Sequence, residues 1–495
     1  MTRVVLVAMG VPSLVPSTCH RGPGLRAAHF AVALAEQGHE VLLLCVLGDD
    51  ETVPTIPASM GEDWTGWLTI EFTTEKELLG RPLRARMEGF DPQALVGVTV
   101  YAAALAVRLQ LGVPLWADVF GDLMAEAQAK ATRVGSDWSL VHFWTLLRGV
   151  LEGADRFSAV SGAQAHALIG QLGLAGRLSQ RTAGEALVAT IPCAAPHGEV
   201  RRGDSEADFR PKARANLGLS DEDVVLLASG GVNTWFDVET FCLGVRAAMD
   251  AEPRLRLVLT GGEIAGHDER SYAQLLAGLV GVHSARVRDL GWVDSSQLPS
   301  VYAAADLALH IERPLYERTL GAENRVVEWL AHGLPCVTTG QSEAGRELVA
   351  RGLARGCRVG DADGLARVLR EQLRAEAAAW RADAGRRGRE WAQWERDVAA
   401  TAAPLLAWVA APVFAGDRDG ARLIRLGLLS HPETSVEMLE AYVAELPLAE
   451  VLRRGVRWFA RRLWGFICGA ANLVKPRLSR KGTPRSRFRA SGRRW

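Results

Sequence analysis

The chain has 495 residues, 48% of them hydrophobic and 23% charged, which is enough for two or three domains, each with its own core. Its 57 basic and 57 acidic residues cancel, but 14 of the basic and none of the acidic ones lie in 451–495, so an acidic body carries a basic tail. Seven scattered cysteines (19, 45, 193, 242, 336, 357 and 468) show no C-x-x-C or paired spacing, and no run of about 18 apolar residues occurs; this argues against a zinc site, a disulfide scaffold and a membrane span.

The opening run Arg3–Met9 is too short for a signal-peptide core and reads as a first buried strand. A loop rich in Pro, Gly and Ser follows, containing Arg21-Gly-Pro-Gly24-Leu-Arg26 and leading into a helix with an apolar stripe at Leu25, Ala28, Val32 and Ala35; Gly38 ends that helix and 40–46 is the second strand. A dinucleotide reading of the glycines is weak, because they begin about 13 residues past the strand and a third glycine is missing. Between 51 and 91 the pattern is poor: Pro54, Pro57, Trp64, Trp67 and several charges suggest loops and a small excursion, and no chemistry is assigned there. The segment 94–100 reads as a buried strand with Tyr101 at its end. The next strand carries Asp118 and Asp122 at its carboxyl edge: Asp122 suits the cap of a helix starting at Leu123, whereas Asp118 is a candidate for acceptor or catalytic contact. His142 sits among apolar neighbours and reads as a core histidine. A last strand at 154–161 and the Pro- and Gly-containing stretch that follows place a domain boundary between about 190 and 215.

The second half opens with the strand 224–229, which runs into Gly230-Gly231, where missing side chains permit close approach to a phosphate; Asn233 follows. The strand ending at Thr260 repeats this with Gly261-Gly262 and then His267-Asp268. Further on, Asp306–Thr339 reads strand, loop, helix, strand, and its loop and helix start hold Glu317, Gly321, Glu323, Asn324, Arg325 and Glu328. In an open parallel sheet such a loop lies at the carboxyl edge, and the following helix turns its free N–H groups toward an anion. Strands alternating with helices through Val359 imply a second parallel sheet.

These residues carry a resemblance to the GT-B glycosyltransferases of the retaining, glycogen-synthase-like group, whose signature is two glutamates seven residues apart before a helix ending in Gly-Leu-Pro. Glu328 with EWLAHGLP resembles the second glutamate and its helix, and Asn324-Arg325 resembles an N-(K/R)-x-x-E variant of the loop. The first glutamate departs from the pattern: position 320 is Leu, and Glu317 lies ten residues short of Glu328 in intervening count. The Arg and Lys that usually follow the glycine loop are also replaced, by Val232, Asn233, Thr234, Trp235 and Asp237.

The resemblance implies an α/β fold of two doubly wound parallel sheets facing across a cleft. The expected domains are 1–195 on the acceptor side, 215–395 binding the nucleotide-sugar, 396–410 crossing back to the first domain, and 411–495 as a C-terminal extension. It further implies a sugar transfer from a nucleotide-diphosphate-sugar to a glycan, lipid-linked or cell-surface acceptor, with no cofactor and no metal. In that reading Glu328 holds ribose, Asn324 and Arg325 lie near the diphosphate, and Glu317 lies near the donor sugar, with Asp118 as a second catalytic candidate. Gly24, Arg26, Gly231, Asn233 and Gly262 line the donor site, and the base rests on the backbone at Trp292 and Val293. Either Arg21 or Arg26 remains readable as a plain surface cation. The departures from the pattern keep open a catalytically silent scaffold of the same fold in a polysaccharide assembly complex. A nucleotide-sugar epimerase of similar architecture is a third reading.

From Leu452 the apolar residues Leu452, Val456, Phe459, Leu463, Phe466 and Ile467 recur at helical spacing opposite Arg453, Arg454, Arg457 and Arg461, and nine more cations follow from Lys475. This suits a helix lying in the headgroup plane of an anionic membrane, each cation near the surface contributing on the order of 1 kcal/mol. Basic tails also bind nucleic acid, which the aromatic and aliphatic wedge disfavours, and a disordered tail is the plain alternative. The expected location is cytoplasmic, peripheral on the inner face of the plasma membrane.

Overall fold

The computed structural model describes residues 1–15, 22–48, 51–54, 67–196, 206–264, 270–372, 374 and 376–417. Arg21, His267, Asp268 and the 451–495 tail therefore lie outside the described residues. Two all-parallel sheets organise the rest. The first has seven strands, β1 (Arg3–Met9), β2 (Glu40–Val46), β3 (Leu68–Thr73), β4 (Ala94–Gly97), β5 (Leu115–Val119), β6 (Arg156–Ala159) and β7 (Val188–Thr190), in the order β3-β2-β1-β4-β5-β6-β7. The second has six, β8 (Val224–Ser229), β9 (Leu255–Thr260), β10 (Val287–Asp289), β11 (Leu307–His310), β12 (Cys336–Thr338) and β13 (Ala354–Gly356), in the order β10-β9-β8-β11-β12-β13. Helices cover both faces of each sheet, so central strands such as Val4–Ala8 in β1 are wholly buried and read as unbroken apolar runs.

Strand order reverses between β1 and β4 in the first sheet and between β8 and β11 in the second. The loops leaving a parallel sheet on either side of such a reversal splay apart and open a crevice at the carboxyl edge. The Gly230-Gly231 loop leaves β8 and the Glu317–Arg325 stretch leaves β11, so the fold sets both beside one crevice.

Three sequence expectations needed correction. The 94–100 strand ends at Gly97, because Thr99 turns the backbone to φ 71° and Val100–Leu109, including Tyr101, is helical. The segment without a clear pattern holds an edge strand, β3, paired with β2, and two short helices, Glu75–Leu78 and Arg81–Phe90. His142 is exposed on the helix Leu140–Gly153, whose buried stripe is carried by Phe143, Leu147, Val150 and Leu151.

The chain returns to the first sheet at its described end. Helix Val398–Ala410 packs on helix Gly22–Glu36, with Val398 and Ala402 against Val32 and Ala33, and Thr2 Oγ1 donates to Val409 O at 2.9 Å. Contacts also cross between the two sheets' layers: Ser161 Oγ donates to Leu320 O at 2.8 Å, and the Ala163 N–H donates to Glu343 Oε2 at 2.9 Å.

Candidate active site

A cavity of about 1740 Å³ lies between the two layers, lined from the first by residues including Gly22, Leu25 and Phe120, and from the second by Gly230, Gly231, Trp292, Glu317, Arg325 and Glu328. Its floor is built by backbone approach. Gly230 and Gly261 hold φ of 92° and 103°; a β-carbon on Gly261 would stand 2.2 Å from Gly230 O, so the two loops touch because Gly261 lacks a side chain, and a β-carbon on Gly230 would stand 2.9 Å from Arg325 Nη2.

Helix Asn324–Ala331 starts at this floor. Val326, Val327, Trp329 and Leu330 bury one face in the core, and the Trp329 indole N–H donates to Ser229 Oγ at 2.8 Å, which fixes the helix against β8. The remaining face turns Asn324, Arg325 and Glu328 to the cavity. Asn324 reaches toward the other layer: a β-carbon at Gly22 would lie 3.7 Å from its Nδ2. The N-terminus of helix Gly22–Glu36 therefore meets that of helix Asn324–Ala331 at the cavity, and two positive dipole ends flank one space.

Arg325 donates from Nη2 to Gly231 O at 3.2 Å, and its guanidinium carbon lies 4.8 Å from the Trp235 ring centroid. Burial, then the neighbouring Arg318, pushes its pKa down to about 10, so the group is a cation at neutral pH. Arg318 also stacks on Trp235, at 4.9 Å. The Arg/Lys pair absent after the glycine loop is thus answered spatially by two arginines from the β11 side, gathered on a tryptophan that the glycine loop supplies.

Glu328 lines the cavity, and the buried Tyr302 hydroxyl is hydrogen-bonded to it. Burial and the Glu328 charge hold the Tyr302 phenol well above its ordinary pKa, so it remains a proton donor that orients the carboxylate. Glu317, on the short helix Tyr316–Leu320, accepts from Thr234 Oγ1 at 3.4 Å and stands 3.8 Å from Arg318 Nη2; burial raises its carboxyl pKa. Beside it His310 Nε2 lies 3.0 Å from Glu312 Oε1 and 4.0 Å from Glu323 Oε1.

The remaining expected residues fall in three groups. Trp292 and Val293 line the cavity, and a β-carbon at Gly262 would lie 3.3 Å from Trp292 Nε1. Gly231 lines it too, and its bare Cα leaves room for Ile264; Asn233 lines it, but its side-chain oxygen accepts from the Thr234 N–H at 2.7 Å and so is held by its own turn. Gly24, Arg26 and Asp118 are spent on structure. A β-carbon at Gly24 would lie 2.1 Å from Val11 O, so that glycine packs the loop after β1.

Asp118 is fully buried. It takes two hydrogen bonds from Arg26, Nη2 to Oδ1 at 2.9 Å and Nε to Oδ2 at 3.1 Å, and a third from Ser158 Oγ at 2.6 Å. Arg26 also donates to Ile191 O and Pro192 O, and it touches the cavity only with a 1% exposed side chain. Neither residue presents an open charged atom to a ligand. Asp122 caps helix Leu123–Val134, accepting from the Ala125 N–H at 2.8 Å. The sequence reading missed Trp235, Tyr302, His310, Glu312 and Arg318; of these only Arg318, adjacent to Glu317, carried a local signal.

Residues 223–375 match the family described as "Glycosyl transferases group 1". Among solved structures, HepE of Anabaena in complex with UDP and glucose is similar at TM-score 0.58 with 16% identity, over 83% of this chain and 100% of that one. Sucrose-phosphate synthase from Thermosynechococcus elongatus is similar at TM-score 0.58 with 18% identity, over 83% and 100%. WaaG, a glycosyltransferase involved in lipopolysaccharide biosynthesis, is similar at TM-score 0.55 with 14% identity, over 83% and 100%. No curated protein matches the chain.

Proposed function

We propose that the protein transfers a sugar, with retention, from a nucleotide-diphosphate-sugar to a glycan, lipid-linked or cell-surface acceptor; the match of residues 223–375 to the group 1 glycosyl transferases and the GT-B fold support this reading. The observation that carries this reading is the start of helix Asn324–Ala331, which brings Arg325 and Glu328 to the cavity at the β8/β11 strand-order reversal. A diphosphate placed there meets free helix N–H groups, the Arg325 cation and the bare backbone of Gly230-Gly231. Glu328, oriented by Tyr302, accepts from the ribose hydroxyls. The base rests against Trp292 and Val293, which both line the cavity.

Chemistry follows from charge. Breaking the anomeric bond leaves a diphosphate with more negative charge than the bound donor had, and fixed dipoles and a cation that need not reorganise stabilise that change most. This supplies the leaving-group stabilisation without a metal at the diphosphate. Glu317 is the carboxylate set to bind the donor sugar's hydroxyls, its buried position strengthening such a hydrogen bond. Retention rests on the resemblance to glycogen-synthase-like enzymes.

The second reading is a silent GT-B scaffold in a polysaccharide assembly complex. Leu320 at the first-glutamate position and the occupied Asn233 side chain favour it. A screen of nucleotide sugars with the purified chain separates the two. Transfer, or slow donor hydrolysis falling at least tenfold in Arg325→Ala, is the expected result; no turnover of any donor by the wild type would leave the scaffold.

A further inference from the structure

At the wall of the cavity, which His310 and Glu323 line, the end of β11 and the loop before helix Asn324–Ala331 bring His310, Glu312 and Glu323 together. The three are 2%, 0% and 4% exposed. One donor atom from each, His310 Nε2, Glu312 Oε1 and Glu323 Oε1, falls within a span of 4.8 Å, with 3.0 Å and 4.0 Å from the imidazole to the two carboxylates. Bonds of about 2.0–2.2 Å to one ion put neighbouring ligand atoms about 3–3.6 Å apart, so small side-chain movements close this set around a cation.

Two further observations point to a ligand. Glu323 Oε1 is buried and has no hydrogen-bond partner, although burial of an unpaired carboxylate oxygen is strongly disfavoured. The carboxylates are also crowded: Glu312 and Glu317 lie 3.4 Å and 3.8 Å from the one Arg318 guanidinium, and the Glu323 carboxylate is buried beside them.

We propose that His310, Glu312 and Glu323 bind one first-row divalent cation, of the Mn²⁺, Fe²⁺ or Zn²⁺ kind. One imidazole and two carboxylates form a donor set that suits these ions. The surroundings hold the ligands in place. The His310 ring lies between Trp235 and Trp329, at centroid distances of 5.1 and 6.2 Å, and Thr339 Oγ1 accepts from the Glu312 N–H at 3.1 Å. Arg318 donates to Glu312 Oε1, whereas Glu323 Oε1 takes no hydrogen bond, so Glu323 is the decisive ligand.

The ion's role is positional. Glu323 is the residue immediately before helix Asn324–Ala331, and a cation tying it to the end of β11 fixes where Asn324, Arg325 and Glu328 start. The diphosphate contact assigned above does not pass through it, and the site stands or falls apart from sugar transfer, because its test reads bound metal.

Full-length protein stripped with EDTA is titrated with Mn²⁺ by electron paramagnetic resonance and with Zn²⁺ by calorimetry, and its melting temperature is read with and without each ion. One ion per chain, a raised melting temperature, and binding at least tenfold weaker in Glu323→Gln and His310→Ala but unchanged in Glu126→Gln are expected. No saturable binding by the wild type, or equal binding by wild type and Glu323→Gln, overturns the proposal. If a variant does not fold, the wild-type stoichiometry and melting shift decide alone.

Discussion

Arg26 and Asp118 form a pair whose side chains are 1% and 0% exposed, 92 positions apart in sequence, and the pair is tied to the backbone of Ile191 and Pro192 just past β7. Two charges so enclosed are worth keeping only as a hydrogen-bonded unit; removing one partner strands the other, at a cost of about 3–5 kcal/mol. Asp118→Asn is therefore expected to lower unfolding stability by roughly that amount, read from the urea midpoint, while nucleotide affinity of the folded fraction stays within about twofold. A strong loss of catalysis with unchanged stability would return Asp118 to the reacting groups. The sequence marked Asp118 as a site candidate for its place at a carboxyl edge, and Arg26 for its place beside the glycine loop after β1. It gave no means of seeing that they neutralise each other. Glu328 and Arg325 were legible for the opposite reason: helix, glycine stop and proline are contiguous, so their placement depends on one local element.

At the scale of elements, the contact between helix Gly22–Glu36 and helix Val398–Ala410 holds a titratable group. His29 is buried, with Nε2 3.2 Å from Val398 O and 2.8 Å from Thr401 Oγ1. Burial, then the charge of Arg26, lowers its pKa well below the ordinary value. The unfolded chain takes up this proton at about pH 6.5 and the folded chain only at lower pH. The stability contribution is thus complete above about pH 6.5 and is lost as pH falls below it. His39, also lowered by burial, acts in the same direction. The melting temperature of the wild type is expected to fall between pH 6.5 and 5, and His29→Gln to flatten part of that fall; parallel curves would contradict it.

Legibility followed burial here. Strands such as β1, β2 and β8 are covered on both faces and announce themselves as apolar runs, but β3, at the sheet edge with Leu68–Phe72 only partly covered, mixes polar and apolar residues and left no run to find. The short β4 was overrun because Val98–Val100 are as apolar as a strand, and only the positive φ of Thr99 ends it. The His310–Glu312–Glu323 group was invisible as a group, since a strand end and a loop eleven residues on meet only through the fold.

For the whole molecule, two parallel sheets with facing reversals make one crevice, and helix Val398–Ala410 returns the chain to the first of them. No described helix is long and apolar enough to cross a membrane. The proposed membrane contact rests on the 14 cations and the apolar stripe of 451–495. Each cation near an anionic surface contributes on the order of 1 kcal/mol, and salt screens it. The full chain is expected to sediment with phosphatidylserine-containing vesicles, less so at high salt, and residues 1–450 to stay in the supernatant. Equal sedimentation of both would remove the tail from membrane binding, and retention on RNA in place of vesicles would assign it to nucleic acid.

The claim on which the functional account turns is that Glu328, at the start of helix Asn324–Ala331, grips the ribose of a nucleotide. Calorimetric titration of UDP into wild type and Glu328→Gln tests it most directly. Replacing a charged acceptor by a neutral amide of the same shape removes about 1.5–3 kcal/mol, so roughly 10- to 100-fold weaker binding is predicted, with the melting temperature little changed. Equal affinities in the two proteins would contradict the account.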